Sequence, residues 1–337
     1  MDTSLTNTTE TKVNSEHYYG IDWLRVIACI GIVVMHIRAN TNYQIFGWIY
    51  NNLIPVFSDF VYLFMAISSF GMLYGYYDKV MNGKVNWTGF YKKRYIKILP
   101  FFALLILLDV AINHNISSLL EGITELTLMH GFIPQDLSVI GVGWYLGTVF
   151  VFYLTFPFFC VLVEKKSRAR LAFIVSIVLH YICAYYFDLT KRNYLFSLCY
   201  FLIGGLVFLY REKIEKSNNI NVYILILLLT LAVYLVSDSL NFVKSIARIL
   251  LIFVILSLAI CVKCKSPKMI SFISKISMEI YLSHMVIFRA VEKVHLTGII
   301  GNGWPQYILT VCLVLIGTIV FSYVSQNIIN RTIAKSK

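Results

Sequence analysis

The chain of 337 residues is 58% hydrophobic and only 14% charged, and it carries a formal net charge of +12. Soluble domains contain about 25% charged residues. This composition, with a mean hydropathy of +0.74, therefore excludes an ordinary soluble protein and predicts an all-α integral membrane protein. Because the positive charges fall in short loops between apolar runs, as membrane topology requires, they do not indicate a nucleic-acid partner.

Three regions are predicted along the chain. The first nineteen residues are rich in Thr, Asn, Ser and Glu, without the basic start and short apolar core of a signal peptide. We therefore expect a disordered cytoplasmic tail over 1–19. A single transmembrane domain is predicted over 20–330, followed by a cytoplasmic C-terminal tail over 331–337.

About ten apolar runs approach the 20 or so residues that a bilayer requires. They lie near 21–40, 53–77, 97–113, 142–163, 171–187, 194–210, 220–237, 245–262, 274–291 and 306–328. Lys and Arg cluster in the loops 78–97, 164–170, 211–219 and 263–275, whereas 114–141 contains neither. Since positive loops remain in the cytoplasm, both termini are predicted to be cytoplasmic. We expect 114–141 to be a plain connector or to form a short helix that lies at the outer surface or dips back into the membrane.

The first span carries Arg25 and His36, eleven residues apart. This separation is just over three helical turns, so both side chains share one face, about 16 Å apart along the axis, with His36 expected near mid-depth. Ionisable groups at membrane depth usually line a cavity or a pathway. The alternative is that Arg25 reaches the inner interface and His36 is a hydrogen-bonded core residue.

Other polar residues lie near the ends of later spans. Asp59 is expected near the outer end of the second span. At the entry to the third, Arg94 and Lys97 are three residues apart and should share a helix face. Arg and Lys at a membrane mouth suit phosphate groups, although most such clusters are topology anchors. Trp144 begins the fourth span, where aromatic rings usually form the interfacial belt.

The ninth span adds a second intramembrane histidine. Tyr281 and His284 are three residues apart and share a helix face. Taken alone, such a histidine is more often a core residue than a functional one. Cys261 and Cys264 form an isolated C-x-x-C without evident partners, so no metal is predicted.

Together these segments resemble the acyltransferase 3 family of integral membrane acyltransferases, which modify cell-surface sugars and related acceptors. Arg25 and His36 resemble its arginine–histidine signature, and Ile280-Tyr281-Leu-Ser-His284 resembles its Y-L-x-H segment. Arg94-Tyr-Ile-Lys97 stands in the place of its R-x-x-R motif, with lysine replacing the second arginine, and Trp144-Tyr145-Leu146 resembles its W-x-L segment.

The resemblance implies transfer of an acyl group from cytoplasmic acyl-CoA, most often acetyl-CoA, to a hydroxyl of a carbohydrate or lipid-linked carbohydrate acceptor. His36 would act as general base while Arg25 guides the donor inward, and Arg94 and Lys97 would bind the donor's phosphates. The residues expected on the acceptor side are His284, Tyr281, Trp144 and Asp59. His284 or Tyr281 would either shape that side or stabilise charge on the tetrahedral intermediate.

The expected location is the cell membrane, most simply a bacterial cytoplasmic membrane, with the lipid bilayer as surroundings and homodimerisation left open. Two alternatives remain. In a secondary transporter of a sugar intermediate or an amino acid, the Arg, His and Asp residues would form a relay. A non-catalytic sensor or scaffold would tolerate the loss of His36.

Overall fold

The computed structural model describes residues 17–113, 116–133, 140–217, 219–237 and 241–335, and every regular element within these ranges is helical. The α-helices are α1 (Tyr19–Ala39), α2 (Ile54–Val56), α3 (Phe60–Met81), α4 (Trp87–Asn113), α5 (Ile116–Leu126), α6 (Trp144–Val163), α7 (Lys166–Tyr185), α8 (Tyr194–Ser217), α9 (Ile220–Val236), α10 (Asn241–Cys261), α11 (Lys268–Lys275), α12 (Ser277–Lys293) and α13 (Trp304–Lys335). A π-helix at Ile49–Leu53 and a 3-10 turn at Phe57–Asp59 flank α2.

Seven helices of the described chain are long and apolar enough to cross a membrane. They are Tyr19–Ala39, Ile49–Met81, Trp144–Val163, Lys166–Tyr185, Tyr194–Ser217, Phe242–Cys261 and Trp304–Ala334. The helices α11 and α12 meet at 71° and add an eighth if they form one broken span. The apolar α9 has 17 residues, and the first half of α4 is rich in Lys and Arg. Each predicted span falls on a helix, while the count of ten and the side of the termini remain predictions.

The outer surfaces of three helices support a membrane environment. Large apolar side chains are exposed on α7 (Leu171, Ile174, Val175, Val178), on α9 (Leu225, Leu228, Leu229) and on α13 (Ile316, Val320, Val324). Soluble monomers rarely expose contiguous apolar surface on this scale, whereas lipid chains solvate it and the helices satisfy their own backbone hydrogen bonds.

The helix α1 lies at the centre of the fold, where it packs against α3, α10, α11, α12 and α13. Glycine permits its closest approach, because a Cβ at Gly20 would overlap the carbonyl of Ala259 in α10. Similarly, a Cβ at Gly204 in α8 would overlap the carbonyl of Ala66 in α3. Small residues that let backbones approach are typical of membrane helix packing. These glycines allow close packing of α1 on α10 and of α8 on α3.

The long loop 114–141 contains the short helix α5, which packs against α4 while Leu119, Leu120 and Ile123 remain exposed. This agrees with the predicted surface helix, and residues 114–115 and 134–139 lie outside the described residues. The predicted N-terminal tail lies outside them up to residue 16, and α1 begins at Tyr19. At the other end, α13 continues to Lys335, through most of the predicted tail 331–337.

Candidate active site

His36 of α1 and His284 of α12 lie side by side, with ring centroids 4.9 Å apart. The sequence brings them together because α12 packs against α1 along the face that bears Arg25 and His36. Since α1 ends at Ala39, His36 is in its last turn. The histidine pair is therefore at the outer end of the helix under the predicted topology, and not near mid-depth as its position in the apolar run suggested.

The hydrogen bonds of the two rings determine which nitrogen is available for chemistry. Nδ1 of His36 is 3.0 Å from the carbonyl oxygen of Ile32, and Nδ1 of His284 is 2.6 Å from that of Tyr281. Because a carbonyl only accepts, each Nδ1 carries the proton and each Nε2 carries a lone pair. Nε2 of the fully buried His284 has no hydrogen-bond partner. An unsatisfied buried nitrogen is unfavourable, which makes the histidine pair a candidate site for a ligand.

Aromatic side chains extend from this pair toward the other end of α1. The ring of Tyr281 is 6.0 Å from His284 and 5.2 Å from Tyr145, and Phe64 lies 6.3 Å from both tyrosines. The Tyr281 hydroxyl donates to the carbonyl of Val142 at 3.1 Å. Its only proton is therefore engaged with the backbone, and Tyr281 acts as a wall of the pocket.

Arg25, near the start of α1, and Arg94 of α4 are both close enough to Tyr153 to interact with it electrostatically. Nη1 of Arg94 donates to the carbonyl of Phe90 at 2.7 Å, while its guanidinium lies 3.4 Å from the ring centroid of Phe90. Its Nε is buried without a partner. Within the described chain, no carboxylate lies within ion-pair distance of either guanidinium.

A cavity of about 160 Å³ lies beside Arg25 and is lined by Tyr18, Asp22 and Gly71 among others. A Cβ at Gly71 would be 3.7 Å from Nη2 of Arg25, so glycine keeps this side of the guanidinium open. This volume suits a phosphate-sized group and not a whole ligand. One end of α1 therefore carries guanidinium groups with no carboxylate within ion-pair distance among the described residues, and the other end carries the histidine pair with the unsatisfied Nε2 of His284.

Comparison with known families identifies the fold that carries this arrangement. The model of the Acyl_transf_3 family, described as an acyltransferase domain, matches residues 18–324. The chain belongs to this acyltransferase family. Comparisons with curated proteins and with solved structures found no match. The acyltransferase domain thus includes the histidine pair, both arginines and all thirteen helices in whole or in part.

Lys97 is placed differently from Arg94 in this acyltransferase domain. Arg94 is half-buried against α3, where its Nη2 contacts the sulfur of Met72 at 3.0 Å, whereas Lys97 is exposed. Lys97 instead interacts electrostatically with Glu279 of α12, a fully buried carboxylate that accepts a hydrogen bond from Gln326. The two cations are therefore directed to different helices, and their joint binding of phosphate stays a prediction.

Asp59 has a structural role in the acyltransferase fold. Its Oδ2 accepts hydrogen bonds from the Tyr234 hydroxyl at 2.6 Å and from Nε of Arg248 at 2.7 Å. These contacts join the start of α3 to α9 and α10. With its carboxylate occupied in this way, Asp59 gains no support as the substrate-binding residue predicted from sequence.

Trp144 is buried at the start of α6, with its ring 6.2 Å from Tyr145 and the ammonium of Lys191 5.4 Å from its ring centroid. Sequence reasoning missed Lys191, its neighbour Arg192, and the place of Tyr153 between the two arginines. Lys191 and Arg192 could have been singled out from the sequence. They lie in a loop that the predicted topology places outside, where positive residues are depleted.

Replacing Asp59 with asparagine should lower the free energy of unfolding by about 3 kcal/mol, because Arg248 loses its counter-charge in a largely buried site. Denaturant unfolding in detergent micelles, followed by circular dichroism, measures the change. Asp188→Asn, the same substitution at an exposed loop position, should leave stability within about 0.5 kcal/mol of the parent. Unchanged stability with weakened acceptor binding in Asp59→Asn would instead return Asp59 to the substrate site.

Proposed function

We propose that this membrane acyltransferase transfers an acyl group, acetyl in the simplest case, from cytoplasmic acyl-CoA to a hydroxyl of a cell-envelope carbohydrate or a related acceptor. The observation that supports the proposal is the contact between His36 and His284, in which each Nδ1 is hydrogen-bonded to a helix carbonyl and each Nε2 is left as an acceptor. An alcohol is a poor nucleophile at neutral pH, and a base held against it is the group that acyl transfer requires.

The donor is expected at the end of α1 that begins at Tyr19. Arg25 and Arg94 are cations without carboxylate partners in the described chain, and they flank Tyr153. Phosphate oxygens of a nucleotide would supply the missing acceptors, since guanidinium groups bind phosphate through paired hydrogen bonds. Lys97, being exposed, is a weaker candidate for this role. With the N-terminus in the cytoplasm, this end of the helix faces the cytoplasmic pool of acyl-CoA.

The reaction follows from the nitrogen left free on His36. Nε2 accepts the proton of the acceptor hydroxyl as its oxygen attacks the thioester carbonyl carbon. The carbon–sulfur bond then breaks, and the protonated imidazole returns the proton to the departing thiolate. The bond from Nδ1 to the Ile32 carbonyl holds the ring orientation throughout and favours the imidazolium that forms transiently.

His284 is suited to orient the acceptor. Because its Nδ1 proton is engaged with the carbonyl of Tyr281, Nε2 accepts hydrogen bonds and does not donate them. A second hydroxyl of a sugar would satisfy it. This favours the acceptor-shaping role over stabilisation of the tetrahedral oxyanion, which requires donors.

His36→Gln should lower kcat for acyl transfer by about 10²- to 10⁴-fold, because general-base catalysis contributes on this scale. Release of labelled product from radiolabelled acetyl-CoA, with the purified protein in liposomes, gives the rate. His180→Gln is the matched control: this buried histidine of α7 has its Nδ1 2.8 Å from the Phe196 carbonyl but lies outside the proposed site. A His36→Gln enzyme with full activity would eliminate the base, and substrate flux without acyl-CoA turnover would favour a transporter.

Arg94→Gln should raise KM for acetyl-CoA by about tenfold or more, the loss expected for hydrogen bonds to a charged group, while kcat at saturating donor changes little. Steady-state kinetics with varied donor separates the two constants. Lys93→Gln, an exposed neighbour of equal charge, should behave as the parent, and Lys97→Gln should have an effect smaller than that of Arg94→Gln. A KM unaffected by Arg94→Gln would make that residue a topology anchor.

A further inference from the structure

A cavity of about 580 Å³ lies between the start of α7 and the end of α8. It is lined by Lys166, Leu209, Glu212, Lys213, Lys216 and Ser217. Three of these side chains are positively charged and one is negatively charged, so this lysine cavity carries an excess of positive charge. Its size falls in the range of ligand pockets, about 300–1,000 Å³. The loops that meet here, 164–170 and 211–219, are both predicted to be cytoplasmic.

The lysine cavity is separate from the proposed donor site. The residues that α8 contributes to it at the i, i+3, i+4 and i+7 positions of one helix face are Leu209, Glu212, Lys213 and Lys216. Glu215 lies off this face, where its carboxylate accepts a hydrogen bond from the Tyr18 hydroxyl at 2.5 Å. Tyr18 in turn lines the smaller cavity beside Arg25. The end of α8 therefore contacts the donor side through one face and forms the lysine cavity with another.

The arginines near the lysine cavity are paired locally, but its lysines are not. Nη2 of Arg168 is 2.7 Å from the carboxylate of Glu164, and Nη1 of Arg211 donates to the carbonyl of Phe208 at 2.8 Å. Nη2 of Arg211 is also 3.8 Å from the carboxylate of Glu212. Among the described residues, no carboxylate lies within ion-pair distance of any of the three lysines that line the cavity. A negatively charged ligand would provide their counter-charge.

The lysine cavity lies at the depth expected for lipid headgroups. Leu171 of α7 is five residues after Lys166, about 7.5 Å further along the helix, and it belongs to the exposed apolar surface that faces lipid. The ammonium of Lys166 lies 5.3 Å from the ring centroid of Tyr210, and tyrosine is enriched at the interface between membrane and water. A group bound in the cavity would therefore be next to the acyl chains around α7.

We propose that the lysine cavity binds the phosphate of an anionic phospholipid from the cytoplasmic leaflet. Each ammonium group is a compact charge with three hydrogen-bond donors, which suits phosphate oxygens. Basic pockets between membrane helices on the cytoplasmic side bind anionic headgroups through the same chemistry. A free phosphate ion shares this chemistry but has no acyl chains to contact the apolar surface of α7. The proposal concerns a lipid site and does not depend on acyl transfer.

Native mass spectrometry of the full chain in neutral detergent micelles tests the proposal. The probes are dioleoyl phosphatidylglycerol and dioleoyl phosphatidylcholine, which have the same acyl chains and differ in net charge. The first phosphatidylglycerol should bind about tenfold tighter or more, because each lysine near an anionic lipid contributes about a fivefold gain. Equal affinities for the two lipids would overturn the proposal. Displacement of phosphatidylglycerol by inorganic phosphate at the same concentration would also overturn it, in favour of a site for a free ion.

Substitutions in the cavity assign the preference to its lysines. The triple variant Lys166→Gln, Lys213→Gln and Lys216→Gln should lose the tenfold preference for phosphatidylglycerol, whereas replacement of the same three lysines by arginine should retain it. A preference that survives in the folded glutamine variant would place the lipid elsewhere and overturn the assignment.

The matched control removes the same number of charges from another predicted cytoplasmic loop. It combines substitutions at three exposed lysines, Lys263→Gln, Lys265→Gln and Lys268→Gln. This control should bind both lipids as the parent does. An equal loss of preference in the control would reduce the effect to general positive charge on this face, and the lysine cavity would lose its assignment.

Glu212→Gln tests the same site by a change in the opposite direction. Glu212 is exposed, and surface substitutions of this kind rarely alter stability, so the variant remains informative if the triple variant does not fold. Removing the negative charge from the cavity should tighten phosphatidylglycerol binding by about twofold or more and leave phosphatidylcholine binding unchanged. Unchanged or weaker phosphatidylglycerol binding would contradict the proposal.

Steady-state kinetics distinguishes this lipid site from the donor site. In phosphatidylcholine liposomes, the triple glutamine variant should have the same KM for acetyl-CoA as the parent. A KM raised about tenfold would assign these lysines to the phosphates of the donor and overturn the lipid site. Loss of acyl transfer in His36→Gln with lipid preference intact is expected, since the two sites are independent.

Discussion

The candidate site depends on the contact between the imidazoles of His36 and His284. Hydrogen bonds to helix backbone carbonyls determine which nitrogen of each ring is available for chemistry. In each ring Nδ1–H donates a hydrogen bond to the carbonyl three or four residues earlier, which leaves Nε2 as an acceptor. Burial leaves Nε2 of His284 unsatisfied. A ligand that donates a hydrogen bond would satisfy this nitrogen. The packing of α12 on α1 is what creates the pocket, and α1 in turn is centred by five neighbouring helices.

A second constraint is the separation of charge along α1. Arg25 at one end and His36 at the other are about 16 Å apart by the rise of an α-helix. Each end has its own cations: Arg94 near Arg25, and Lys191 with Arg192 near the histidines. The proposed donor site and the proposed acceptor site therefore lie toward opposite ends of this helix. The aromatic residues between them form a lining without charge.

Much of this arrangement follows from local sequence patterns. Helical periodicity places Arg25 and His36 on one face, and the same rule pairs Tyr281 with His284. The position of His36 along its helix was harder to predict, because an apolar run does not mark where a helix ends. The helix α1 ends three residues after His36. The ion pair of Asp59 with Arg248 joins residues 189 positions apart. No local pattern encodes such a contact, so the sequence did not reveal this ion pair, and Asp59 was expected on the acceptor side.

Lys191 and Arg192 were missed in the sequence for a different reason. Their position on the predicted outer side is an exception to the charge rule from which the topology is predicted. Lys97 shows that the spacing of a motif does not determine which helix each side chain faces. Lys97 interacts with Glu279 of α12, whereas Arg94 contacts Met72 of α3. In both cases the deciding information is tertiary packing, which carries side chains of similar charge into different surroundings.

In the proposed mechanism, donor and acceptor reach the site from opposite ends of α1. Acyl transfer across a bilayer tests this directly. The purified protein is oriented in sealed liposomes, with impermeant labelled acetyl-CoA on the face of the N-terminus and a water-soluble, hydroxyl-bearing acceptor on the other face. The account predicts labelled acceptor in this arrangement and none when donor and acceptor positions are exchanged. Transfer that requires both substrates on the same face would contradict it.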